Sequence, residues 1–86
     1  MNQNETIRLY LLFPCIGQCQ EIRLPACKSL QDCIPFLNEL LNDRFADRYQ
    51  LEAETIFLEA QTGIQISRTV TLSRQNLQDG IRLIVY

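Results

Sequence analysis

Ser29 to Phe45 (SLQDCIPFLNELLNDRF) is the stretch whose apolar residues recur every three or four positions: Leu30, Cys33 and Ile34, Leu37, Leu40 and Leu41, and Phe45. That spacing places them on one helix face, and no other stretch carries a comparable helical pattern. Before and after it the chain alternates with a period of two and reads as strand, so one helix should lie across one small sheet. Ser29 supplies a cap hydroxyl for a free first-turn N–H, and Asp32 sits at the positive end of the helix dipole. Pro35 complicates the start. With Ser29 as the cap, Pro35 falls past the first turn and loses a backbone bond, a helix-interior cost of about 3 kcal/mol; with Asp32 as the cap, it lies where no intrahelical partner is needed. The expectation is a loose first turn, with regular helix from about Cys33.

Glu5 to Leu24 reads as a hairpin. Ile7, Leu9, Leu11 and Phe13 share one face of the first strand, and Ile22 and Leu24 share the inward face of the second. Pro14 and Gly17 mark the turn, and Pro25 ends the second strand because it cannot donate a ladder bond. The polar connector from Ala46 to Glu54 reads as loop, with Arg48 to Leu51 extended at most. Thr55 to Glu59 (TIFLE) is a third strand, read with Ile56 and Leu58 inward and Phe57 outward. Gln61-Thr62-Gly63 turns into a short fourth strand at Ile64 to Ser67. Val70 to Leu77 is a loop or short helical turn held by Leu72 and Leu77. Asp79-Gly80 opens a last strand, Ile81 to Tyr86, with Ile81, Leu83 and Val85 on one face.

The order hairpin, helix, strand, short strand, loop, strand is that of the ubiquitin-like β-grasp. The expected fold is therefore α+β, a mixed four- to five-stranded sheet with one helix packed across one face, formed by residues 1–86 as one domain. Thr71 to Tyr86 (TLSRQNLQDGIRLIVY) resembles the end of ubiquitin, and Ile56-Phe57-Leu58 resembles its third strand. Glu21 to Leu41 (EIRLPACKSLQDCIPFLNELL) is similar to the YukD-like ubiquitin-fold family of type VII (ESX, WXG100) secretion, in which Leu-Pro closes the second strand and a Pro sits inside an apolar helix; Leu24-Pro25 and Ile34-Pro35 match that pattern. The resemblance implies a non-catalytic protein-interaction module, an accessory component of a bacterial secretion system. It would bind a membrane-anchored or ATPase component, or itself as a homodimer. The alternative is a stand-alone ubiquitin-like adaptor or regulatory domain of another pathway. Ubiquitin-type conjugation needs a C-terminal Gly-Gly, whereas this sequence ends at Tyr86, so no conjugation is expected.

Composition narrows the function classes. Without histidine the usual neutral-pH general base is missing, and Ser-His and Cys-His arrangements cannot be built; Glu39/Asp43 and Glu52/Glu54 lie in polar surroundings and read as solvated faces rather than tuned acids. No enzyme activity and no cofactor are expected. A net charge of −2, with the cations spread thinly, offers no stripe for a phosphate backbone, so nucleic acid is not an expected partner. The longest apolar run, from Leu9 to Pro14, is far short of the roughly 20 residues that cross a bilayer, and no secretory signal is recognisable; a cytoplasmic location without membrane insertion is expected. Of the four cysteines, Cys15 and Cys19 flank the hairpin turn, while Cys27 and Cys33 lie at the far end of the second strand, too distant for one zinc with sulfurs at about 2.3 Å. No metal site is expected. Cys15 and Cys19 could reach a disulfide that a cytosolic chain keeps reduced, and Cys33 should be a small buried apolar residue.

In a β-grasp sheet the first, last and third strands are neighbours. The helix-free face should then carry Tyr10, Leu12, Phe57, Ile84 and Tyr86 as one partner-binding patch, larger than the usual scatter of exposed apolar residues.

Overall fold

A computed structural model describes residues 5–45 and 50–86. The hairpin forms as its alternation requires: β1 (Thr6–Phe13) pairs antiparallel with β2 (Gln18–Pro25), from Thr6 opposite Pro25 to Phe13 opposite Gln18. A single 3-10 turn, Pro14–Ile16, joins them, and the chain reverses at Gly17, whose φ of +64° lies in the left-handed region that a residue without Cβ enters freely. Pro25 is the last residue of β2.

Helix α1 spans Leu30–Phe45. It is regular from Leu30 rather than from Cys33. Ser29 is the cap: its Oγ accepts the Asp32 N–H at 3.1 Å, and Ser29 is itself buried. A second first-turn donor, the Gln31 N–H, reaches the Arg68 carbonyl at 2.8 Å, and an isolated bridge joins Ser29 to Thr71. These bonds to a distant segment stiffen the first turn that Pro35 was expected to loosen. Pro35 and Gln31, whose carbonyl loses its helical donor, are both on the exposed side, where water can satisfy the group. Leu30, Cys33, Leu37 and Leu41 are buried by the helix, with Ile34, Leu40 and Phe45 at the margin of the core.

The second half adds β3 (Phe57–Glu59), β4 (Gln65–Ile66) and β5 (Ile81–Val85). The five strands run in the order β2-β1-β5-β3-β4; β5 is parallel to β1, and the other pairs are antiparallel. With one helix on one face, this is the ubiquitin-like β-grasp. The core between helix and sheet takes Ile7, Leu9, Leu11 and Phe13 from β1, Ile22 and Leu24 from β2, and Leu83 and Val85 from β5. Phe13 meets Phe45 edge-to-face at a centroid distance of 6.1 Å.

Loops are fastened by side-chain amides. Asn38 grips the Leu51 backbone on both sides: its Oδ1 accepts the Leu51 N–H at 2.7 Å and its Nδ2 donates to the Leu51 carbonyl at 3.2 Å. Leu51 is thereby pinned in the core; the remainder of the expected Arg48–Leu51 extension lies mostly outside the described residues. Gln75 does the same for Ser67, accepting its N–H and donating to its carbonyl, both at 3.0 Å. Between Val70 and Leu77 the chain makes successive turns, with Leu72 buried and Leu77 packed against the core.

Candidate docking face

The face opposite the helix is built by register. Leu12 on β1 lies beside Ile84 on β5, and Ile84 lies beside Leu58 on β3, so three aliphatic side chains form a row across three strands. The next row sets Tyr10 beside Arg82, and the Ala60 N–H bonds the Arg82 carbonyl at 2.9 Å. Beyond the other end of β5, Ile56 and Tyr86 exchange two backbone bonds of 3.0 Å each, extending the apolar surface past the named strands. Tyr86 is 58% exposed, while Tyr10, Leu12, Ile56, Leu58 and Ile84 are half-buried, as side chains on an uncovered sheet face should be.

Four of the five residues expected there, Tyr10, Leu12, Ile84 and Tyr86, share this face. Phe57 does not: it is 0% exposed and belongs to the core. The β3–β5 register pairs Phe57 with Val85 and Leu58 with Ile84; directly opposed residues project to the same side, so Phe57 follows the buried Val85 toward the helix. The expected alternation of β3 holds, but its phase is reversed, and Ile56 and Leu58 take the outward places. What disguised the phase is that Phe57 is flanked at two-residue spacing by the polar Thr55 and Glu59. Each has a hydrogen-bonding task. The buried Thr55 accepts the Glu52 N–H on its hydroxyl at 2.8 Å, and Glu59 Oε2 accepts the Gln61 N–H at 2.7 Å. The sequence contained the apolar partners Ile56 and Leu58, but only pairing with β5 could show which set faces out.

Arginines rim this face. The Arg8 guanidinium lies 5.8 Å from the centroid of the Tyr10 ring and 3.5 Å from Asp79, and Asp79 Oδ1 also accepts the Arg8 N–H at 2.8 Å. Gly80 returns its N–H to the Arg8 carbonyl at 2.7 Å, with φ of +84°; a Cβ there would come within 3.3 Å of the Arg8 side chain. Arg23 and Arg82 are exposed, as is Glu21, two residues before Arg23 on β2 and across Tyr10 from Arg82. The face is thus apolar in the middle and charged at its margin, where Arg8, Arg23 and Arg82 are interspersed with Asp79 and Glu21.

The structure arranges other polar groups for support. A cavity of about 560 Å³ is lined in part by Glu59, Asp79 and Arg82, but Glu59 holds the Gln61 N–H and Asp79 is engaged with Arg8. The Arg68 guanidinium donates to the carbonyls of Ala53 and Thr55 and to Gln31 Oε1, which ties the connector and the helix start together. Cys15, Cys19 and Cys27 are exposed, while Cys33 is buried. Burial, reinforced by the Asp32 carboxylate, pushes the Cys33 thiol above its ordinary pKa. Among the described residues no group of three or more His, Cys, Asp or Glu could hold a metal ion, and no helix is long and apolar enough to cross a membrane.

No family model and no curated protein matches the chain. Solved structures do. The ubiquitin-like domain of EccD5 from Mycobacterium xenopi superposes with a TM-score of 0.72 at 18% identity, covering 95% of this chain and 93% of that one. The ubiquitin-like domain of the type VII secretion protein ECCD1 of Mycobacterium tuberculosis superposes with a TM-score of 0.69 at 16% identity, covering 94% and 97%. A chain of the MycP5-free ESX-5 inner membrane complex matches with a TM-score of 0.72 at 20% identity, over 99% of this chain and 21% of that one. At such identities the likeness establishes the ubiquitin-like fold.

Proposed function

We propose that residues 1–86 act as one ubiquitin-like, non-catalytic interaction module of a bacterial type VII secretion system, working on the cytoplasmic side and docking a membrane or ATPase component of the secretion complex. The observation that carries this reading is the aliphatic row Leu12–Ile84–Leu58, flanked by Tyr10, Ile56 and Tyr86 on the sheet face that the helix leaves open. An apolar centre with a charged margin is the composition of a protein-docking surface, in which a few central side chains supply most of the affinity. Charges of both signs at the margin would orient a partner of complementary charge pattern. Shared architecture with ubiquitin-like domains of type VII secretion supports the choice of system.

The test is site-specific photo-crosslinking in the native host. A crosslinker placed at Leu58 or Ile84 should form adducts with a component of the secretion complex, and one placed at the exposed Asn42 on the helix should not. Equal adducts from both faces would remove the docking assignment; adducts from Leu58 confined to proteins of an unrelated pathway would remove the secretion assignment and leave an adaptor of another system.

A further inference from the structure

The sheet has two edges of unlike character. β4 is two residues long, too short to recruit another strand, whereas β2 runs for eight residues along the outside of β1. Which backbone groups of β2 are free follows from the ladder. The Ala26 N–H donates to the Glu5 carbonyl at 3.0 Å, one step beyond the Thr6–Pro25 pair, and hydrogen-bonded pairs alternate along an antiparallel ladder. Leu24, Ile22 and Gln20 therefore direct their peptide groups at β1. Cys19, Glu21 and Arg23 turn theirs outward, and Pro25 lacks its N–H on the side where β1 asks nothing of it.

We propose that this edge pairs with the same edge of a second copy of the chain, antiparallel about a two-fold axis at Ile22, so that one sheet runs through a homodimer. The choice of register comes from charge. Centred on Glu21, the pairing opposes two glutamates, and centred on Arg23 it opposes two arginines; centred on Gln20, it sets Arg23 against Gly17 and leaves both charges without an opposite partner. Centred on Ile22, each Glu21 faces Arg23 of the second copy at a hydrogen-bonded position. Opposite charges directly across a ladder stabilise it, and like charges destabilise it. In the same register the Cys19 N–H meets the Pro25 carbonyl, which already receives the Lys28 N–H at 3.1 Å and keeps its second lone pair for the incoming donor. The Glu21 carbonyl already receives Gln20 Nε2 at 2.8 Å, and its second lone pair remains for the incoming N–H.

The helix side of the edge suits the same occupant. Two cavities meet at Phe36, one over Leu24 and Cys33 and the other over Ile22 and Leu40. A strand added to β2 runs beneath Phe36, an aromatic left 50% exposed. The docking face centred on β1, β5 and β3 stays open, so this inference does not depend on the proposed function.

Sedimentation equilibrium of the full chain under reductant, which keeps Cys19 out of disulfides, tests the register. The wild type should show a concentration-dependent monomer–dimer equilibrium. Glu21→Arg and Arg23→Glu alone should each weaken it at least roughly tenfold. An equimolar mixture of the two should associate again, because every facing pair is then of opposite charge. Both substitutions sit at exposed positions, and circular dichroism melts confirm that each variant folds. A wild type that stays monomeric, single variants that associate like the wild type, or a mixture that fails to recover would each overturn the proposal.

Discussion

Strands β1 and β3 both lie inside the sheet and both alternate, yet one announces its inward face and the other conceals it. β1 has eight residues, and its inward set, Ile7, Leu9, Leu11 and Phe13, is wholly apolar, while its outward set opens with Thr6 and Arg8. β3 has three residues, within a segment where the inward set is Thr55, Phe57 and Glu59 and the outward set is Ile56 and Leu58. Hydrophobicity counted residue by residue therefore favours the wrong face of β3. The difference teaches that a strand's phase is legible when its two faces differ in polarity over several residues, and is decided by pairing when they do not.

The strongest way to break this comparison is to truncate the inward residues. Phe57→Ala should cost about 3–5 kcal/mol and Leu9→Ala about 2–5 kcal/mol, from lost transfer energy plus the cavity left behind. Denaturant melts read both; a loss below about 0.5 kcal/mol for Phe57→Ala would return it to the open face and restore the opposite phase.

Asp79 tests how β1 is fastened to the chain that opens β5. Its carboxylate accepts the Arg8 N–H and pairs with the Arg8 side chain, but it is exposed, so the ion pair adds little. Asp79→Ala should cost about 1 kcal/mol, most of it from the backbone bond, and the loss should persist at high salt. A loss abolished by salt would assign the effect to the ion pair instead.

On the outward side, Leu58→Ala should cost about 1 kcal/mol or less, while weakening partner binding at least about tenfold. Calorimetric melts alongside binding measurements separate the two readouts. If Leu58→Ala destabilises the fold as much as Phe57→Ala does, β3 has no open face.

The smallest effect is a pH dependence that reports on the covered side. Burial raises the Cys33 pKa, so folding favours the protonated thiol. The associated stabilisation is complete below the unfolded-state value of about 8.5 and is lost as pH rises from there toward the folded-state value. The stability advantage of the wild type over Cys33→Ala should therefore shrink above about pH 8.5. An advantage that grows with pH would mean that the thiol is stabilised as thiolate and faces solvent.

Much of this protein was legible from local pattern. The phases of β1, β2 and β5, the helix face through Leu37, the turns at Gly17 and Gly63 and the anchors Leu72 and Leu77 each rest on a contiguous run whose periodicity or turn chemistry has one physical solution. The strand order followed from the order of those elements, and with it four of the five residues expected on the open face. Tertiary structure alone decided where a local preference was balanced or its partner lay far along the chain. Phe57 went inward because β3 pairs with β5, bringing Leu58 beside Ile84. The first turn of α1 became regular because Arg68, far along the chain, offers its carbonyl to Gln31. Leu51 entered the core because Asn38 satisfies both of its backbone groups. In each case the deciding interaction is a hydrogen bond or register between segments separated in sequence, and such a partner exists only once the chain has closed on itself.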